Sequence, residues 1–157
     1  MWTYKNKTIS SLEEMPNNVF GFVYKIEFTD GTKYIGKKQV VSIKKLPKLK
    51  SGKPRPNSIG VIYKNTGKGF RQCFEKIRAE SDWKTYKGSH KDCKNKEPKN
   101  KTILAFAFNK LELTYLEAKA LFMYEVLEHD EYINDNILGS FYRSNFTHGN
   151  FKSFESN

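Results

Sequence analysis

Apolar and polar positions alternate most clearly from Phe20 to Phe28, where Phe20, Phe22, Tyr24, Ile26 and Phe28 share one parity and Gly21, Val23, Lys25 and Glu27 the other. A two-residue period predicts a β-strand, and Lys33 to Lys38 reads as its return strand across Asp30-Gly31. Loop length then decides which side chains meet. A two-residue loop would set Tyr34 opposite Glu27 and send Tyr24 and Tyr34 to opposite faces. A three-residue loop, Thr29-Asp30-Gly31, with Gly31 left-handed in a bulge, sets Tyr34 opposite Ile26 on the face of Tyr24.

Further along, Ile103 to Phe108 is short and wholly apolar, which predicts a buried central strand. Thr114-x-x-Glu117 has the form of a capping box, and Leu116, Ala120, Met123 and Leu127 recur at helical spacing, predicting a helix with one buried face through about Glu128. Phe70, Cys73, Phe74 and Ile77 give a similar helical pattern over 69–80. Between hairpin and second helix, Val40 to Lys68 is rich in Lys, Gly and Pro and reads as an exposed, mobile basic insertion. Residues 1–18 read as a polar lead-in holding a short capped turn near Ser10 to Glu14. The segment from Glu131 to Asn157 reads as irregular and aromatic-rich.

Composition narrows the partners. A chain of 157 residues fits one domain, and 28 Lys+Arg against 17 Asp+Glu give a net charge of +11 and a pI near 9.5. That balance predicts a polyanionic partner, nucleic acid ahead of an anionic membrane surface. No run approaches the roughly 20 apolar residues of a membrane span, and Met1-Trp2-Thr3-Tyr4 opens no signal-peptide core, so a soluble cytoplasmic protein is expected. Cys73 and Cys93 show no Cys-x-x-Cys pairing and are expected as reduced thiols. With His90 they lack a recognised zinc spacing.

The pair Gly21-Phe22-Val23-Tyr24 and Tyr34-Ile35-Gly36 on one hairpin resembles the opening of the GIY-YIG nuclease domain, with Phe-Val-Tyr standing where that family has Gly-Ile-Tyr. Trp83-x-x-Tyr86-x-Gly88-Ser89 resembles an element of phage-borne and restriction-type members. The resemblance runs from about Phe20 to Asn134 and is interrupted by the insertion at 40–68. It implies an α+β domain with a three-stranded antiparallel sheet flanked by helices. It also implies that Glu117 holds a single Mg²⁺ or Mn²⁺, that Tyr24 acts as or assists the general base, and that Tyr34 positions the water or binds phosphate. The family arginine that neutralises phosphate charge falls on Arg71 or Arg78, of which Arg78 is preferred with Lys84 as substitute, and Asn134 supports the site. Lys37, Lys38, Lys84, Tyr86 and Ser89 are the expected substrate contacts.

Each residue also has a plainer reading. Tyr24 and Tyr34 suit any half-buried strand, Trp83 suits a core, and Glu117 suits a capping box. Arg78 suits a solvated helix face, and Asn134 suits a loop. A phenol with a pKa near 10 is also a poor base unless cations stabilise its phenolate. The resulting expectation is a metal-dependent DNA endonuclease of phage or mobile-element origin, acting on DNA without an obligate protein partner or membrane. An inactive DNA-binding or inhibitory relative and a small basic nucleoprotein component are the alternatives.

Overall fold

The turn joining the two tyrosine strands has the three-residue form. Gly31 N–H donates to Phe28 O at 3.1 Å, Phe28 N–H donates to Thr32 O at 2.9 Å, and Gly31 is left-handed at φ +86°. Asp30 fastens it by accepting from the Thr32 amide (3.0 Å) and hydroxyl (2.6 Å), while the Lys96 ammonium also reaches Asp30. Tyr24 and Tyr34 therefore share a face, their ring centroids 6.2 Å apart.

This computed structural model describes residues 1–56, 58–65, 67 and 71–145, with the backbone alone at 64, 65, 71 and 72. In chain order the strands are β1 (Trp2–Tyr4), β2 (Lys7–Ile9), β3 (Gly21–Phe28), β4 (Lys33–Gln39), β5 (Val41–Pro47), β6 (Ser58–Asn65), β7 (Arg71–Glu80) and β8 (Pro98–Ala107). They are followed by helix α1 (Lys110–Met123) and a small ribbon of β9 (Asn136–Ile137) and β10 (Phe141–Tyr142). The chain divides into two compact units, Met1–Lys38 with Trp83–Asn157, and Gln39–Asp82.

The first unit is α+β. Its sheet has five strands in the order β2-β1-β8-β3-β4 rather than the expected three, because the supposed lead-in supplies β1 and β2. Trp2 is the physical reason: its indole is 1% exposed, and its N–H donates to Trp83 O at 2.7 Å, anchoring β1 parallel to β8. The predicted apolar strand at 103–108 extends back to Pro98 and pairs antiparallel with β3.

Among the described residues α1 is the one α-helix. It starts four residues earlier than Thr114, capped by Asn109, whose Oδ1 accepts from Glu112 N–H at 2.8 Å. It ends at Met123, since Glu125 turns left-handed at φ +48°. The expected apolar stripe is shifted accordingly. Leu113, Ala120 and Leu121 pack on Val23, Ile35 and Ala107 of the sheet, whereas Met123 is exposed and Leu127 is buried beyond the helix.

The second unit is an antiparallel sheet in the order β5-β7-β6. Two expectations are corrected here. The described part of the 69–80 segment is the central strand β7, not a helix, and the basic insertion supplies its two neighbours instead of an unstructured run. Positions 69 and 70, and the tail from 146 to Asn157, lie outside the described residues. Cross-strand pairing has overridden a helical spacing that only four apolar residues carried.

Candidate active site

A cleft of about 440 Å³ opens along β4, lined by Tyr34, Ile35, Lys37, Ser89, His90, Glu117, Leu121, Asn134, Asp135, Asn136 and Leu138. As an end strand of the sheet, β4 admits side chains from both of its faces to this cleft. Tyr34 comes from one face, and Ile35 and Lys37 come from the other.

The edge of β4 is held by the segment after α1. Lys33 N–H donates to Glu131 O (2.7 Å) and Ile133 N–H donates to Lys33 O (2.8 Å). Asn134 continues the pairing with its side chain: Oδ1 accepts from Ile35 N–H at 3.1 Å and Nδ2 donates to Ile35 O at 2.8 Å. Asn134 is therefore a buried brace that fixes the backbone between Tyr34 and Gly36. The neighbouring Asp135 accepts from or shares a proton with His90 Nε2 at 2.8 Å.

Two glycines are required by packing. A Cβ on Gly36 would lie 2.7 Å from Tyr24 Oη, 3.0 Å from Tyr24 Cζ and 3.0 Å from Tyr34 Cε1, so both rings close over the bare α-carbon. At Gly88, with φ +113°, an added Cβ would lie 2.9 Å from Cys93 Sγ, and the next residue is Ser89, whose Oγ lies 2.7 Å from Tyr34 Oη. The structural content of Tyr-Ile-Gly and Gly-Ser is this close approach.

The phenols differ in access. Tyr34 lines the cleft, and burial pushes its pKa up to about 12, against the pull of the Ser89 hydrogen bond. Tyr24 is fully buried behind it among Trp2, Phe22, Tyr34 and Tyr86, and does not line the cleft. Its hydroxyl is the one buried side-chain polar atom without a hydrogen bond among the described residues. Burial, with the neighbouring Tyr34 and Tyr86, raises its pKa well above 10.

Glu117 projects from the third turn of α1 into the cleft. Because the helix begins at Lys110, Glu117 has no capping duty; its carboxylate meets Lys37 Nζ at 2.7 Å, and Lys37 also donates to Thr114 Oγ1 at 3.1 Å. No three His, Cys, Asp or Glu side chains converge among the described residues in the manner of a zinc site. The Glu117 carboxylate does suit Mg²⁺ or Mn²⁺, which take one or two carboxylates and fill their shells with waters and phosphate oxygens, provided Lys37 moves aside.

The structure thus brings Tyr34, Lys37, Ser89, Glu117 and Asn134 to one cleft and sets Tyr24 behind Tyr34. Lys38 lies over the Tyr86 ring at 3.9 Å and Lys84 over Trp83 at 5.6 Å, so neither lines the cleft. Arg78 lies exposed on β7 in the second unit. His90 and Asp135 line the cleft without having been expected there. Both adjoin motif residues, Ser89 and Asn134, which is the signal that could have found them.

The hairpin with its paired tyrosines, the five-stranded sheet around it and helix α1 packed on that sheet make the first unit an α+β domain. The chain belongs to the GIY-YIG endonuclease family: residues 2–137 match the family described as "Putative endonuclease segE, GIY-YIG domain". No curated protein and no solved structure matches it.

Proposed function

We propose that the protein is a divalent-metal-dependent endonuclease that hydrolyses phosphodiester bonds in DNA. The carrying observation is Glu117, a helix-interior carboxylate with no capping role, 18% exposed in its side chain and facing the cleft together with Tyr34 and Lys37. A Mg²⁺ or Mn²⁺ ion held by Glu117 would supply Lewis-acid polarisation of the phosphate. Lys37, released from Glu117, supplies the cleft's positive charge for a phosphate oxygen, and Ser89 holds the Tyr34 hydroxyl oriented for the attacking water. Tyr24 enters the reaction only by exchanging its buried position for one in which cations lower its pKa. Asn134 keeps the β4 backbone in register beneath these groups.

A binding-only reading draws on one observation, the burial of Tyr24 Oη. Incubation of supercoiled plasmid with Mg²⁺, Mn²⁺ or EDTA, beside a Glu117→Ala variant, separates the two. The endonuclease nicks or linearises plasmid only with metal, and Glu117→Ala stays folded but inactive. Losing the partly exposed Lys37 pair costs that variant less than about 1 kcal/mol. Cleavage unchanged in EDTA, or retained by folded Glu117→Ala, overturns the mechanism; tight DNA binding with no turnover under any metal supports the binding-only reading.

A further inference from the structure

The second unit carries eleven of the chain's 28 Lys+Arg against three acidic residues between 39 and 82. None of those acids is free. Glu75, fully buried on one face of the sheet, accepts from the Arg55 guanidinium at 2.5 Å and from Arg55 N–H at 3.2 Å. The opposite face is open. Strand register places Lys45 directly across from Lys76, and Ile43 across from Arg78, with Lys76 and Arg78 two residues apart and so on the same side. Like charges facing each other across a ladder destabilise a sheet, and Lys45, Lys76 and Arg78 have no ion-pair partner among the described residues.

Beside them Gly60 pairs with Lys76 at a bulge, its φ +150° and its α-carbon facing empty space. A bare glycine in a strand leaves room for a ligand to approach the backbone. Ile43, 63% exposed, stands in the same row.

We propose that this face, centred on Lys45, Lys76 and Arg78, docks on the phosphate backbone of duplex DNA. The proposal rests on DNA being the substrate but not on cleavage. Its physical content is that a polyanion neutralises a cross-strand repulsion between Lys45 and Lys76 that no ion pair among the described residues offsets. The chemistry is electrostatic, so each contact replaced releases fewer counterions and flattens the salt dependence. Ile43 and the gap over Gly60 allow the sheet to approach a groove, which admits a β-ribbon.

The test is fluorescence anisotropy with a 30-base-pair duplex in EDTA, using the full chain, so that loss of nuclease activity leaves the readout intact. The variant Lys45→Gln/Lys76→Gln/Arg78→Gln is compared with Lys48→Gln/Lys50→Gln/Lys53→Gln, which removes equal charge from the following segment. The first should weaken binding on the order of 100-fold at 100 mM salt and reduce the log-log salt slope by about 2–3 units, and the second much less. Thermal melting supplies an independent reading. Lys76→Glu sets a carboxylate against Lys45, so it should hold or raise the melting temperature while weakening DNA binding. Equal losses from both triple variants, or unchanged affinity in folded Lys76→Glu, overturn the proposal. So does loss of binding confined to phosphatidylserine vesicles with duplex affinity intact.

Discussion

Replacing Tyr24 by Phe should make the protein more stable and less active at once. The ring is fully buried against Trp2 (5.2 Å between centroids), Tyr86 (5.9 Å), Phe22 (6.2 Å) and Tyr34 (6.2 Å), and a phenylalanine keeps all four contacts. The one atom removed is a hydroxyl oxygen with no well-formed hydrogen bond, the Tyr86 side chain being a polar neighbour. A buried polar group left unpaired costs about 1–3 kcal/mol of desolvation, so its removal should recover on the order of 1 kcal/mol. For a chain of 157 residues that corresponds to a Tm higher by about 2–4 °C. Calorimetry and urea unfolding at pH 7 measure it, with plasmid cleavage in Mg²⁺ alongside. A Tm that falls by several degrees would mean that the hydroxyl has a partner in solution, and the packing argument would fail. Unchanged cleavage with a raised Tm would remove Tyr24 from the chemistry and leave it a core residue.

Gly36→Ala should destabilise by about 1–3 kcal/mol, the usual range for overpacking, since its Cβ would stand 2.7 Å from Tyr24 Oη. Adding Tyr24→Phe should return part of that loss; simple additivity in the double-mutant cycle would refute the clash. Lys101, buried under Trp2 at 4.3 Å, has its pKa depressed to about 8 by burial and the nearby Lys87. The unfolded chain therefore holds that proton more tightly, so the penalty is full below pH 8 and fades as pH rises toward 10.5. Lys101→Met should accordingly gain about 1–2 kcal/mol at pH 7 and little near pH 10.5, and a pH-independent difference in urea midpoints would contradict this.

The hairpin was legible because two local rules, strand parity and the glycine needed by a three-residue loop, act within a dozen residues and agree. The central strand was equally plain from its apolar run, yet its partner β1 was not. Three residues carry no periodicity, and only the long-range burial of Trp2 beneath Trp83 makes that segment a strand. The second unit misled for a related reason. Several of its apolar residues, Ile43, Ile59, Val61 and Tyr63, stay exposed, and the sheet's buried polar contact is Glu75 with Arg55, a pairing invisible to any pattern of apolar spacing.

At the candidate site, two readings of Glu117 compete in the sequence, a metal ligand and a helix cap, and the fold removes the second. Thr114-x-x-Glu117 fits a capping box, but Asn109 caps the helix, and Thr114 instead sits inside it with its hydroxyl bonded to Lys110 O at 3.1 Å. Once the cap moves by five residues, the local explanation for a carboxylate at 117 disappears, and what faces it is Lys37 from the edge strand. An ion pair of that exposure contributes little to stability. The same lysine on a strand beside Tyr34 and Ser89 can, however, trade a carboxylate for a phosphate without leaving the cleft, which is the exchange a phosphodiester substrate would require.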